Sequence, residues 1–209
     1  TSAADFRAPT FCRACNDGVM SPDILLTLWL SPAFPVGAFA YSHGLEWAAE
    51  AGDVRDEATL VAWLADLVEH GSARTDAILL AESARATSAR DAQRLHDVND
   101  LALALAPSSE RRLETAQQGR SFHAAISAAW SNATIEWADT TLTDEIAYPI
   151  AVGLACAAHD IPVARACEAF ALGFVANLVS AAVRLSIIGQ TQGQRTLAAL
   201  AAPVAALGA

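Results

Sequence analysis

Four cysteines are the residues of this chain whose spacing first suggests chemistry. Cys12 and Cys15 form a C-x-x-C pair, which makes half of a zinc site or, at the start of a helix that follows a strand, a redox pair. The sequence supplies no second pair, and its pattern predicts no strand before this one. Cys156 and Cys167 fall in apolar helical stretches, where cysteine behaves as a small hydrophobic residue. We therefore expect no metal or redox centre built on cysteine.

The histidines do not form a ligand pattern either. They are scattered along the chain: His43, His70, His96, His123 and His159. The H-E-x-x-H and E-x-x-H motifs of zinc enzymes and di-iron helix bundles do not occur. His43 and Glu46 are three residues apart and could share a helix face, although a lone pair of this kind is more typical of a hydrogen bond at a helix start. We predict no metal ligand.

The remaining signatures of catalysis and of nucleic-acid binding are also missing. All 13 basic residues are arginine, against 23 acidic residues, for a net charge of −10. The absence of lysine excludes Schiff-base chemistry and a P-loop lysine, and there is no G-x-S-x-G motif. Arginine forms no cluster of the kind that neutralises phosphates. The sequence therefore predicts a protein with no catalytic residues and no nucleic-acid partner, and we expect it not to be an enzyme.

The elements that must position any site are helices. Alanine is abundant and favours helix, and the apolar residues recur at helical rather than alternating spacing. We predict an all-α fold, a single compact domain of about eight to ten helices with a central apolar helix that starts at Pro162. The apolar stretches 146–158 and 169–183 are shorter than the roughly 20 residues of a membrane span. We expect core helices, no membrane contact and a cytoplasmic protein.

Prolines and glycines predict where the helices are interrupted. Pro149 should kink or break a helix over 144–158, and Pro203 should break the last helix, which begins near Thr191. Residues 1–20 lack periodicity, so we expect an extension of uncertain order that is not necessarily native, followed by the helical domain over 21–209. Apolar residues make up 54% and charged residues 17% of the chain. This excess of apolar surface predicts contact with a partner.

Two segments carry a family resemblance. One is S-P-A-F-P-V-G-A-F-A-Y-S-H-G-L-E over 31–46, whose prolines and glycine prevent a regular helix although it is apolar. The other is A-V-R-L-S-I-I-G-Q-T-Q-G-Q-R over 182–195. Together, and in this order, they resemble the urease accessory protein UreF family over about residues 23–202. Glu114, Gly119, Arg120 and Gly153 are also similar to the family pattern.

The resemblance implies an all-α, non-enzymatic urease maturation factor, a chaperone for nickel insertion. It implies a homodimer that bridges UreD/UreH and the GTPase UreG, delivers nickel to the urease apoenzyme and couples delivery to GTP hydrolysis. It also implies a passage for nickel, which is handled transiently, so no tightly bound cofactor is expected. Relatives often carry histidine within 147–149, where this chain reads Ala-Tyr-Pro, and no nickel ligand follows from the resemblance.

The matching residues are candidates for the partner interface or the nickel passage. In the first segment they are Pro35, Gly37, Tyr41, Ser42, Gly44 and Glu46, and Leu45 also matches the family signature. In the second they are Arg184, Gly189, Gln190, Gly193 and Gln194. The glycines and prolines could equally serve only to shape a turn. An alternative function is a helical domain that binds a small apolar ligand or performs metal-assisted hydrolysis, which predicts a closed pocket with converging titratable groups.

Overall fold

Ten α-helices form the regular structure of the chain in a computed structural model, which describes residues 20–37, 41–142 and 144–208. These residues contain no strand, and the all-α prediction is confirmed. The helices are α1 (Pro22–Trp29), α2 (Leu45–Glu50), α3 (Glu57–Glu69), α4 (Ser72–Ser88), α5 (Ala92–Ala104), α6 (Ser109–Ala129), α7 (Ala133–Thr141), α8 (Tyr148–Ala158), α9 (Val163–Arg184) and α10 (Gln190–Ala206). The predicted extension, with its cysteine pair, lies outside the described residues except for Met20.

Side-chain caps fix the starts of several helices. The Asp56 carboxylate accepts a hydrogen bond from the Thr59 backbone N–H at the start of α3, at 2.9 Å. Ser108 caps α6 in the same way, and Asn132 accepts two backbone N–H groups of α7. Each cap satisfies donors that the first turn of a helix leaves without an intrahelical partner. Local chemistry therefore determines where these helices begin.

The apolar helix α9 connects two regions of the hydrophobic core. It packs directly against α1, α2, α4, α8 and α10, with its first half in one core region and its second half in the other. Among the described helices it alone is long and apolar enough to cross a membrane, but half of its most apolar stretch is buried inside the fold. This confirms the prediction of a central apolar helix in one compact domain.

Close helix contacts in the core depend on two glycines. A β-carbon at Gly153 in α8 would lie 2.3 Å from the Leu80 carbonyl oxygen of α4. A β-carbon at Gly119 in α6 would lie 2.0 Å from the Ile146 carbonyl oxygen. Both distances are far below van der Waals contact, so any larger residue would push α8 away from α4, or α6 away from the segment that precedes α8.

Both proline predictions are wrong. Helix α8 begins at Tyr148, so Pro149 occupies its first turn, where a missing N–H costs no hydrogen bond, and no kink follows. Helix α10 continues through Pro203 to Ala206, with only the last turn beyond the proline.

Helix α9 ends at Arg184, and Ser186 follows with φ +61°, a left-handed conformation that stops a helix.

Candidate functional site

The described residues of the first family segment that precede α2, 31–37 and 41–44, form loop structure that is tied to two long helices. The Tyr41 hydroxyl donates to the side-chain oxygen of Gln117 in α6 at 3.1 Å. The Asn177 side chain of α9 donates to the Tyr41 carbonyl oxygen at 3.2 Å. Gly37 and Gly44 have φ +73° and +85°, a region that glycine enters without strain. These contacts and turns hold residues 41–44 against α6 and α9.

His43 points into the fold from this loop. Its Nε2 lies 3.7 Å from Oε1 of Glu114, and its ring packs edge-on against Phe174 at a centroid distance of 4.7 Å. Burial, together with the positive charge of Arg111, lowers the His43 pKa to about 3, so the ring is neutral at pH 7. Glu46 is exposed on α2. The hypothesis that His43 and Glu46 share a helix face is therefore wrong, because His43 precedes the helix with φ +52°.

Four titratable side chains from three elements face one another inside the fold, and we call them the polar cluster: His43, Asp76, Arg111 and Glu114. Glu114 accepts hydrogen bonds from Arg111 and, at 3.0 Å, from Gln118. Burial raises the Glu114 pKa, although Arg111 and Gln118 oppose this rise. Burial also raises the Asp76 pKa to about 7, against the positive charge of Arg111 and with a smaller contribution from Glu114. The cluster therefore holds a carboxyl group that is near its titration midpoint at neutral pH.

The polar cluster forms a wall between two spaces. The aromatic cavity, of about 370 Å³, has all four cluster residues in its lining, together with Phe34, Tyr148, Phe170 and Phe174. The acidic cleft, of about 740 Å³ and more open, is lined by the same four residues and by Tyr41, Ser42, Gly44 and Glu46. Asp76 thus has little contact with bulk water, yet it is accessible from both spaces.

The second family segment is divided between the cavity and the surface. Arg184, at the end of α9, lines the aromatic cavity. Gly193 lies inside α10, and a β-carbon there would be 3.1 Å from Val179 of α9, so this glycine permits close helix packing. Gln190 and Gln194 are exposed on α10, one turn apart, and line neither space.

The structure therefore groups the candidate residues in three places. Four of them, Tyr41, Ser42, Gly44 and Glu46, lie at the acidic cleft, and Arg184 lies at the aromatic cavity. The others line neither space: Pro35, Gly37, Gly189, Gln190, Gly193 and Gln194. Pro35 and Gly189 are exposed, and Gly37 is half-buried.

Sequence reasoning missed Asp76 and Arg111. One signal was present, because Asp76 is a carboxylate on the helical face that carries the buried Ala73, Ala77 and Leu80. An acidic residue on an apolar face is rare unless it has a function or a partner.

Among the residues that the structure describes, no three histidine, cysteine, aspartate or glutamate side chains are arranged to hold a metal ion.

Comparisons with known proteins agree on one family. A family model described as UreF matches residues 54–201. A urease accessory protein UreF from Methylobacterium sp. (strain 4-46) is 56% identical over 186 residues, which cover 89% of this chain and 74% of the relative. The UreF of Xanthobacter autotrophicus is 56% identical over 90% of this chain and 78% of its own length. That of Azorhizobium caulinodans is 51% identical over 88% and 79%.

Proposed function

The chain belongs to the UreF family of urease accessory proteins, and on this premise we propose that it bridges UreD/UreH and the GTPase UreG and helps deliver nickel to the urease apoenzyme. The family resemblance of the two sequence segments is thereby confirmed. In this proposal the protein is a cytoplasmic maturation factor and homodimer that modulates GTP hydrolysis by UreG. It is not an enzyme, and nickel is its transient cargo.

The observation that carries the proposal is the separation of the family residues between the solvent-exposed face of α10 and the two spaces that the polar cluster borders. Gln190 and Gln194 present two amide groups to solvent on one face of α10, away from both cavities. Exposed side chains that belong to a family motif and stabilise no core are suited to contact a partner. Arg184, in contrast, lines the aromatic cavity, and Tyr41, Ser42, Gly44 and Glu46 line the acidic cleft, two spaces through which a small cation could move.

Exposed apolar side chains also support the proposal that the protein functions within a complex. Trp47, beside Glu46 on α2, is 70% exposed, and Leu172 of α9 is 48% exposed. Aromatic and large aliphatic residues of this kind are enriched at the centres of protein interfaces. The surface therefore offers more than one place for a second subunit.

The experiment is co-expression with UreD/UreH, UreG and the urease apoenzyme. Complex formation is followed by gel filtration with light scattering, and urease activity is followed in the lysate. Gln190→Ala combined with Gln194→Ala should weaken co-purification at least tenfold, because interface anchors typically contribute more than about 1.4 kcal/mol. Gln93→Ala, which alters an exposed glutamine on α5 outside both family segments, is the matched control.

An unchanged complex and full urease activation by the double variant would contradict the assignment of this face. A chain that binds neither UreD/UreH nor UreG and does not restore urease activity would contradict the proposed function itself.

The aromatic cavity favours a second candidate, the small-ligand or hydrolytic domain. It is less open than the acidic cleft, largely apolar and bordered by converging titratable groups, which are features that this alternative predicts. This function would be supported if a fluorescent apolar probe binds, if Phe174→Trp weakens its binding, and if changes on α10 leave its binding unchanged. If no probe binds, this second candidate is contradicted and the accessory role is the only one of the two that remains.

A further inference from the structure

We propose that the ion pair between Glu57 of α3 and Arg195 of α10 holds the first turns of α10 in the orientation that presents Gln190 and Gln194 to a partner protein. Glu57 and Arg195 are then positioning residues, which act on recognition through the two glutamines and do not themselves contact the partner. The inference deepens the proposed function, on which it rests for the role of the exposed face of α10.

The two side chains of the ion pair meet in a bidentate geometry. Nε of Arg195 donates to Oε1 of Glu57 at 2.9 Å, and Nη2 of Arg195 donates to Oε2 at 2.7 Å. The last residue of the second family segment therefore binds a residue 138 positions earlier in the chain. A guanidinium group with two donors on one carboxylate fixes a direction as well as a distance. The pair therefore restrains rotation of α10 relative to α3, which a contact between two point charges would not do.

Glu57 is linked to the first turn of α10 as well as to the second. Arg195 holds the pKa of Glu57 below its usual value through hydrogen bonds and charge, against the effect of burial, and a hydrogen bond from Gln192 adds to this. The Gln192 side-chain oxygen in turn accepts the Gly189 backbone N–H at 2.8 Å. The ionised carboxylate of Glu57 thus connects the start of α3 with two successive turns of α10.

Packing alone restrains the start of α10 only weakly. The buried residues in its first half are Gly193 and Thr196, which are small, and the first large one is Leu200, since Leu197 is only half-buried. Gly193 presents no side chain to α9, and the Thr196 hydroxyl has no hydrogen-bond partner among the described residues. Small side chains form low ridges with few contacts, so they resist rotation of a helix less than large ones do. The ion pair supplies a restraint that the core does not.

The exposure of the pair favours a role in orientation over a role in stability. The side chain of Arg195 is 60% exposed and that of Glu57 is 27% exposed. Exposed ion pairs contribute little to the stability of a fold. Since each residue of a helix advances by about 100°, Gln192 and Arg195 lie on one flank of the buried stripe of α10, and Gln190 and Gln194 lie on the other. A contact that fixes one flank therefore sets the direction in which the other flank faces.

The first test is hydrogen exchange of the Arg195→Gln variant, which loses the charge and keeps a strong helix former. Arg112→Gln is the matched control, because Arg112 is also an exposed arginine near the start of a long helix and pairs with the exposed Glu145. Mass spectrometry follows the backbone amides of 193–199, which begin with the N–H that Gly193 donates to the Gly189 carbonyl oxygen. These amides should exchange at least about threefold faster in Arg195→Gln than in the wild type. In Arg112→Gln they should exchange at the wild-type rate.

The second test is co-purification with UreD/UreH and UreG after co-expression. Arg195→Gln should weaken co-purification at least about threefold, while its free energy of unfolding in urea stays close to that of Arg112→Gln. The loss should not add to that of the combined Gln190→Ala and Gln194→Ala variant, because residues that act through one another are non-additive. Arg195→Lys keeps the charge without the bidentate geometry, so it should recover part of the binding.

Equal exchange of 193–199 in Arg195→Gln and Arg112→Gln would overturn the inference. A loss of co-purification that adds fully to that of the combined glutamine variant would also overturn it, because Arg195 would then contact the partner itself. If Arg195→Gln does not fold, Glu57→Gln replaces it, with Glu145→Gln as the control, and the same outcomes decide. Exchange is measured on the full chain alone, so it decides the inference even if the wild type forms no complex, which would contradict the proposed function instead.

Discussion

Replacement of Asp76 by asparagine should stabilise the protein increasingly as the pH rises. Burial raises the pKa of this carboxyl group from 3.8 to about 7. The unfolded chain therefore releases the proton at a lower pH than the folded chain, and the wild type loses stability between about pH 4 and pH 7. Asparagine resembles the protonated acid in shape and does not titrate, so the variant avoids this loss.

The magnitude follows from the size of the pKa shift. At about 1.36 kcal/mol per pKa unit, the rise to about 7 corresponds to about 4 kcal/mol above pH 8. Roughly half of this, about 2 kcal/mol, should develop between pH 5.5 and pH 8.5, a range that stays above the isoelectric point near 4.8. His43 titrates in both proteins, so its contribution cancels in the comparison to first order.

Urea unfolding followed by circular dichroism at several pH values measures the difference directly. The free energy of unfolding of Asp76→Asn minus that of the wild type should grow with pH. The same difference for Asp100→Asn, on the exposed side of α5, should stay flat. A difference for Asp76→Asn that is constant with pH, or that shrinks as pH rises, would refute the reasoning that the folded protein resists ionisation at this position.

Two further changes probe the packing of α8 and the attachment of the loop. Gly153→Ala should lower the free energy of unfolding by about 1–3 kcal/mol or more through overpacking. Gly173→Ala is the control: its β-carbon would lie 3.6 Å from the nearest neighbour, so the change should be neutral or stabilising by up to about 1 kcal/mol. Equal melting temperatures for the two variants would contradict the close contact at Gly153. Tyr41→Phe should cost about 1 kcal/mol in urea unfolding by loss of the hydrogen bond to Gln117. Tyr148→Phe, which removes a hydroxyl without a hydrogen bond in the described residues, should cost less, and the reverse order would contradict the role of that bond.

The helices and their caps were largely predictable from the sequence because their causes are local. Asp56, Ser108 and Asn132 cap the helices that they precede, and the side-chain period reveals the buried faces. The proline predictions failed for a local reason too, since the effect of a proline depends on its distance from the helix ends. Pro149 lies in the first turn of α8 and Pro203 near the last turn of α10.

The polar cluster could not be assembled from the sequence. His43, Asp76 and Glu114 are separated by more than thirty positions from one another, and only the packing of α4 and α6 on α8, together with the loop, brings them together. The resemblance to UreF pointed to the loop and to Arg184, but it could not tell that Gln190 and Gln194 face away from the cavities. Contacts between distant segments depend on the tertiary fold, which a local pattern does not encode.

Helix α9 also has a consequence for insertions and deletions. Asn177 binds the loop of the first family segment, and Val183, six positions further on, packs near Gly193 of the second. Each residue of an α-helix adds about 1.5 Å and a rotation of about 100°. One residue inserted between these two contacts would therefore turn α10 about a quarter of the way around α9 relative to the loop. The length of this stretch is fixed by geometry, whereas the surface turns between helices can vary in length.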